Sequence, residues 1–102
     1  MLRFLLLILS VVFAVAACGG STQDELGVDL YNIVCSGCHG PKGEGTNLAP
    51  ALVSERARSL TDDQISGAIR VGPGAMPGNP SLTESQLNSL VIFIRDLQLV
   101  SN

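Results

Sequence analysis

The feature that most constrains this chain is the short sequence CSGCH, in which Cys35 and Cys38 are separated by two residues and His39 follows directly. Two cysteines at this spacing lie about one helical turn apart, so both thiols can reach the same partner. The pair could form a disulfide, supply half of a metal site, or attach a cofactor to the chain. Each use makes a different demand on the rest of the sequence.

The sequence lacks features that a zinc site and a thioredoxin-like redox pair each require. Structural zinc is bound by four Cys or His ligands, commonly in two pairs, and His39 is the only histidine of the chain. A thioredoxin-like pair follows a strand in a βαβ unit. Here the motif follows a stretch with helical periodicity, and no run of residues alternates with the period of a strand. A purely structural disulfide between Cys35 and Cys38 stays open as an alternative.

The third use fits all three residues of the motif. C-x-x-C-H is the attachment sequence of c-type haem. Cys35 and Cys38 can each form a thioether with a vinyl group at the edge of the macrocycle, and His39 is then placed to bind the iron as an axial ligand. The motif therefore predicts one covalently bound haem c.

The iron needs a second axial ligand, and the sequence offers one. Because His39 is the only histidine, ligation by two histidines of one chain is excluded. Met76 is the only methionine after Met1, and it lies in GPGAMPGNP, where glycine and proline exclude a helix and favour turns. A single methionine in a loop can also simply fill a gap. The loop is nevertheless suited to present a side chain, and we expect Met76 to be the second axial ligand.

The N-terminal segment predicts export and a membrane anchor. Arg3 precedes an unbroken run of apolar and small residues over 4–17, which is shorter than the about 20 residues of a membrane span. The run ends in VAAC, which resembles the lipobox of bacterial lipoproteins. That resemblance implies a signal peptide over residues 1–17 and lipidation of Cys18, with a flexible linker over residues 18–25. An uncleaved signal anchor is the alternative.

Three stretches have the apolar periodicity of amphipathic helices. The first is DELGVDLYNIVCSGC, which leads directly into the cysteine motif. Its predicted apolar side consists of Leu26, Leu30, Tyr31, Ile33 and Val34.

The other two predicted helices cover residues 61–72 and 83–100. Both begin with the spacing of a capping box, Thr-x-x-Gln. The first of them ends at Gly72, and Arg70 in its last turn suits the negative end of the helix dipole. Loops rich in glycine and proline separate the helices, so the sequence predicts an all-α domain. The predicted apolar face of the last helix consists of Leu87, Leu90, Val91, Ile94 and Leu97, with Phe93 beside it.

These parts, in this order, are similar to the class I monohaem c-type cytochromes of bacteria. The similar segments are the GVDLYNIVCSGCHG helix, the GEGTNLAPAL loop, the GAMPG loop and the LTESQLNSLVIFIRDL helix. The resemblance implies a small cytochrome c fold over residues 26–102, with three main helices and loops wrapped around one haem. It also implies that the N- and C-terminal helices cross where Gly27, Tyr31 and Phe93 pack.

The resemblance further implies a hydrogen bond from His39 to the carbonyl oxygen of Pro50, which would fix the tautomer of the imidazole. Pro41 lies nearer in the sequence and stays an alternative acceptor. Arg70 could bind a haem propionate, although the end of a helix favours arginine by itself. The chain departs from the family in having no tryptophan and only one tyrosine, so aromatic contacts with the propionates have few candidates.

The resemblance and the anchor together predict a one-electron carrier that is not an enzyme. It would be held outside the cytoplasm, on the periplasmic side or the outer face of a membrane. A membrane quinol-oxidising complex is the expected donor, and a terminal oxidase or reductase the expected acceptor. Nine acidic and five basic residues follow Cys18, without a basic stripe, which argues against nucleic acid as a partner. We expect a monomer.

Two other haem functions stay open at this point. One is a protein that binds or senses a ligand at the iron, with Met76 absent from the metal. The other is a haem subunit fixed in a larger oxidoreductase complex.

Overall fold

The computed structural model describes residues 23–101, so the predicted signal peptide and Cys18 lie outside the described residues. Within that range the chain forms five helices and no strand, which confirms the expected all-α fold. None of these helices is long and apolar enough to cross a membrane. The helices are α1 (Gln23–Val34), α2 (Ser36–His39), α3 (Glu55–Arg58), α4 (Asp62–Val71) and α5 (Glu84–Val100).

The three long helices coincide with the three predicted ones. α1 begins at Gln23, inside the predicted linker over residues 18–25. Thr61 and Thr83 begin α4 and α5 with complete capping boxes, in which each threonine hydroxyl accepts from a glutamine N–H and the glutamine side chain accepts from the threonine N–H. α4 ends at Gly72, whose φ of +74° lies in the left-handed region that glycine adopts at low cost.

The centre of the fold is the crossing of α1 and α5. Gly27 lies at this crossing, where a Cβ atom would meet the Ser89 carbonyl oxygen at 2.5 Å and the Cβ of Phe93 at 3.1 Å. Glycine therefore allows the two helices to approach this closely. One turn later, Tyr31 is fully buried and its ring packs against Phe93 with the centroids 5.0 Å apart. The crossing has the residues that the sequence predicted for it.

The buried face of α1 differs from the predicted one. Ile33 is 81% exposed, so its assignment to the apolar face is wrong. The buried positions of α1 are Gly27 and Tyr31, and Cys35, directly after the helix, continues the interval of four residues. Ile33 lies about 200° around the helix from Tyr31. Once Gly27 and Tyr31 face α5, Ile33 therefore points away from it.

α4 packs against α5 at its apolar face and at its N-terminus. Ile65 and Ile69 are buried in the core. Arg95 on α5 binds the Asp62 carboxylate with an Nε–Oδ1 distance of 2.9 Å, and it donates to Gln98 Oε1 at 2.9 Å. These contacts fix the position of α4, from whose other end the loop with the predicted methionine ligand departs. The buried apolar residues are Tyr31, Cys35, Ile65, Ile69, Leu87, Leu90, Val91 and Ile94.

Candidate functional site

The CSGCH motif lies at the junction of α1 and α2. The backbone N–H groups of Cys38 and His39 both donate to the carbonyl oxygen of Cys35, at 3.2 and 3.0 Å, which forms a helical turn. Both cysteines are free thiols, with Cys35 buried and Cys38 exposed. Burial raises the pKa of the Cys35 thiol to about 11. One turn therefore directs one thiol toward the core and the other toward solvent.

The imidazole of His39 is oriented by Pro50. Its Nδ1 lies 2.8 Å from the Pro50 carbonyl oxygen, and the residue is buried. Because a carbonyl oxygen only accepts, Nδ1 carries the hydrogen and Nε2 of the neutral ring keeps its lone pair. The contact is the one expected for Pro50 rather than for Pro41. It leaves Nε2 as the nitrogen that can bind a metal.

The loop after the motif is folded so that Pro50 reaches His39. Gly45 has a φ of +83°, and its N–H donates to the His39 carbonyl oxygen at 2.7 Å. A Cβ atom on Gly45 would meet the backbone nitrogen of Ala51 at 2.7 Å. Glycine is thus required both for the conformation of this turn and for the close passage of the returning chain. The turn places the carbonyl oxygen that orients the imidazole.

Tyr31, on the core side of the motif, binds Gly40, the residue that follows His39. Its hydroxyl donates to the Gly40 carbonyl oxygen at 2.6 Å, and the residue has no exposed surface. Burial, together with the nearby Cys35 and Glu44, raises the pKa of Tyr31 to about 12. The phenol therefore keeps its proton, and with it this hydrogen bond, throughout the neutral range.

Met76 lies half-buried in the loop between α4 and α5. Its N–H donates to the Pro73 carbonyl oxygen at 3.1 Å, which closes a turn directly after α4. The loop rejoins α4 at Asn79, whose N–H donates to the Ile69 carbonyl oxygen at 2.9 Å. Met76 is therefore carried by a loop with both ends bound to the same helix end. Its role as an axial ligand stays a prediction.

The residues of the two segments fit a c-type haem in their chemistry. They provide two thiols on one turn, one imidazole nitrogen with a lone pair, and one thioether. Large apolar side chains are exposed beside them: Leu48 is 69% exposed and Val71 80% exposed. Leu48 belongs to the loop bound to the motif, since its N–H donates to Thr46 Oγ1 and that hydroxyl donates to the Cys38 carbonyl oxygen. Exposed apolar side chains at these places suit the apolar faces of a macrocycle.

Among residues 23–101, no group of three or more His, Cys, Asp or Glu side chains is placed to bind a metal ion. The described part of the chain therefore lacks the ligand set of a structural zinc site.

Comparison with known families decides the class of protein. Residues 22–94 match the family model described as cytochrome c oxidase, cbb3-type, subunit III. The chain belongs to this family. Its domain is a c-type cytochrome domain, which confirms the expected class of protein and implies haem c as the cofactor. No curated protein gives a significant match to the sequence.

In this cytochrome, Arg70 binds the start of α5. Its Nη2 lies 2.6 Å from Glu84 Oε1, and its Nη1 donates to the Leu82 carbonyl oxygen at 3.1 Å and to that of Pro80 at 3.4 Å. These contacts explain an arginine at this position without a haem propionate. The sequence offered a propionate or the end of the helix as explanations, and the contacts with α5 are a third.

Two features of the cytochrome site were missed in the sequence. The sequence predicts only a packing role for Tyr31, but its hydroxyl also binds Gly40 next to the predicted ligand His39. A buried tyrosine needs an acceptor for its hydroxyl, so its burial was itself a signal. The second feature is the close approach of Gly78 to the end of α4. It depends on the path of the whole loop, and the local sequence indicated only a turn.

Proposed function

We propose that the protein is a one-electron carrier with a single haem c bound covalently through Cys35 and Cys38. Haem-based electron transfer is the general function of the c-type cytochrome domain. The more specific proposal rests on the hydrogen bond between His39 Nδ1 and the Pro50 carbonyl oxygen. That bond leaves Nε2 available for a metal, on a residue directly adjacent to one thiol of the motif and one turn from the other, which supports the proposal.

The residues of the chain have separate parts in this function. The haem, when bound, supplies the Fe(II)/Fe(III) couple. Cys35 and Cys38 fix its edge to one helical turn, and His39 offers Nε2 in a tautomer already set by Pro50. Ligation by one histidine and one methionine raises the reduction potential of the haem iron relative to ligation by two nitrogen atoms. With Met76 as the second ligand, we expect a positive, mid-to-high potential.

The surrounding contacts keep the imidazole in place while the charge of the iron changes. Tyr31 binds Gly40 on one side of His39, and Gly45 binds the carbonyl oxygen of His39 on the other. Neither contact involves a group that changes protonation in the neutral range, since the pKa of Tyr31 is raised to about 12. The arrangement therefore supports electron transfer with little rearrangement of the protein.

We also propose that the domain is tethered through a lipid on Cys18, which lies outside the described residues. c-type cytochrome domains are typically extracytoplasmic. A tethered domain would move within a short distance of the membrane, which suits transfer from a quinol-oxidising complex to a terminal oxidase or reductase. We propose no enzymatic activity and a monomeric state. The description of the family names an oxidase subunit, so a haem subunit fixed in such a complex is the second candidate.

Covalent haem is tested on membranes from cells that express the full chain together with a c-type haem attachment system. A pyridine haemochrome assay should show one c-type haem per chain. Replacing both cysteines, Cys35→Ala and Cys38→Ala together, should abolish the covalent haem. Cys18→Ala is the control, since it removes the third cysteine, which lies outside the haem motif, and should leave the covalent haem intact. Wild-type protein without covalent haem would contradict the proposal.

The axial role of Met76 is tested by absorption spectroscopy of the ferric protein. The wild type should show the weak long-wavelength methionine-to-iron charge-transfer band, and Met76→Ala should lose it. A wild-type spectrum that is five-coordinate and changes with carbon monoxide would instead support a ligand-binding function. Purification in mild detergent separates the remaining candidates: recovery of the cytochrome alone supports a carrier, and a fixed stoichiometry with oxidase subunits supports the second candidate.

A further inference from the structure

The loop that carries Met76 packs on the C-terminal end of α4 through two glycines. Gly72 ends the helix with a φ of +74°. A Cβ atom on Gly78 would meet the carbonyl oxygens of Arg70 and Val71 at 2.7 Å each, and real Cβ atoms essentially never approach within 3.0 Å. The chain just after Met76 therefore lies directly against the last carbonyl groups of the helix. We call this packing of Gly72 and Gly78 at the end of α4 the glycine contact.

The two glycines also approach each other. A Cβ atom on Gly72 would collide with the carbonyl oxygen of Met76 and with the backbone nitrogen of Gly78. The N–H of Asn79, the next residue, donates to the Ile69 carbonyl oxygen at 2.9 Å. The returning loop thus supplies a donor to a carbonyl group that the end of a helix leaves without an intrahelical partner. The side-chain amide of Asn79 also donates to the Ile69 carbonyl oxygen, at 3.5 Å, so one residue closes the loop at its base.

The helix beneath the glycine contact is held by the core and by α5. Ile65 and Ile69 of α4 are buried in the core, and Arg70 binds Glu84 of α5 at 2.6 Å. A side chain added at the glycine contact therefore displaces the loop rather than the helix. Met76 lies two residues before Gly78, so such a displacement moves its side chain as well.

We propose that Gly72 and Gly78 are positioning residues for Met76, and that the glycine contact keeps its thioether at the iron. The inference rests on the proposed axial role of Met76. Loosening the glycine contact raises the fraction of molecules in which the methionine has left the metal. The apparent affinity of the iron for an external ligand then rises, because the methionine occupies the iron in a smaller fraction of the molecules.

The test measures imidazole binding to the ferric holoprotein by absorption spectroscopy. Gly78→Ala adds a contact without strain in φ, because Gly78 is not among the glycines with positive φ. Gly74→Ala is the comparison variant in the same loop: its added Cβ would meet nothing within 4 Å, so its cost is the strain of alanine at a φ of +59° without the new contact. We expect Gly78→Ala to raise the apparent affinity for imidazole about tenfold relative to the wild type, in line with ordinary costs of overpacking, and by more than Gly74→Ala does.

A double variant separates positioning from a general loss of structure. In Met76→Ala protein no thioether competes with imidazole, so adding Gly78→Ala should change the affinity by less than about twofold. Gly72→Asn provides a second single variant if Gly78→Ala fails to accumulate with haem. Asparagine tolerates positive φ better than most residues, while its Cβ still collides with Gly78. It should raise imidazole affinity as well.

Two results would contradict the positioning role of the glycines while leaving the axial role of Met76 in place. One is wild-type imidazole affinity in both Gly78→Ala and Gly72→Asn, while Met76→Ala binds imidazole more tightly than the wild type. The other is an equal effect of Gly78→Ala in the presence and absence of Met76. If Met76→Ala alone leaves both imidazole affinity and the charge-transfer band unchanged, the axial role fails first and the inference fails with it.

Discussion

Replacing Gly27 with alanine tests whether the close crossing of α1 and α5 determines the stability of this cytochrome. Gly27 lies in the interior of α1, so alanine should gain about 1 kcal/mol of helix propensity. The new Cβ would, however, lie 2.5 Å from the Ser89 carbonyl oxygen. That oxygen belongs to the backbone of α5 and cannot rotate away, so the helices must separate. Overpacking of this kind costs about 1–3 kcal/mol.

Gly67 provides a matched control for the same substitution. It lies in the interior of α4, it is exposed, and an added Cβ would meet nothing within 4 Å. Gly67→Ala should therefore stabilise the protein by up to about 1 kcal/mol. Because both variants gain the same helix propensity, the difference between them isolates the contact with Ser89. We expect Gly27→Ala to be less stable than Gly67→Ala by about 1–3 kcal/mol.

The assay is guanidinium chloride unfolding of the oxidised holoprotein, followed by far-ultraviolet circular dichroism. The midpoint should fall for Gly27→Ala and rise for Gly67→Ala, with unchanged slopes. Equal stabilisation of the two variants would show that the helices separate at no cost. The close approach would then not explain the glycine at position 27.

Two further predictions concern hydrogen bonds of the core. As the pH rises from 10 to 12, the free energy of unfolding should fall by about 2 kcal/mol, because the phenol of Tyr31 ionises first in the unfolded chain and its folded pKa is raised to about 12. Denaturation across this range should show no such fall in Tyr31→Phe. Arg95→Lys should lower the free energy of unfolding by about 1–3 kcal/mol, because an ammonium group cannot bind Asp62, Gln98 and the Leu60 carbonyl oxygen together. Its haem spectrum should match the wild type, and an unchanged denaturation midpoint would contradict this.

The elements that the sequence predicted well are those whose determinants are local. Thr61 and Thr83 each form a hydrogen bond with a residue three positions along, so the starts of α4 and α5 follow from the sequence alone. The CSGCH turn is local in the same sense. The short helix α3 was missed because four residues are too few for a periodic pattern, although Ser54 caps it.

The errors and omissions all concern features that depend on a residue or helix far away in the sequence. Ile33 is as apolar as the residues of a buried face, and only the position of α5 decides that it is exposed. Similarly, GPGAMPGNP indicates turns, but the approach of Gly78 to α4 depends on the return path of the chain. The contact of Pro50 with His39 is expected only from a family resemblance, because ten residues lie between the two along the chain.

Both predicted ligand segments combine a helix end with a glycine turn and a returning chain. Gly45 allows the return that brings Pro50 to His39, and Gly78 allows the return that fixes the loop of Met76. The close contacts of Gly72 and Gly78 involve only α4 and its loop, whereas the crossing at Gly27 involves α1 and α5, so stability and methionine ligation should be separable. We expect Gly27→Ala to lower the free energy of unfolding while leaving imidazole affinity within about twofold of the wild type. A rise in affinity as large as that of Gly78→Ala would show that the crossing, and not the loop base, controls the methionine.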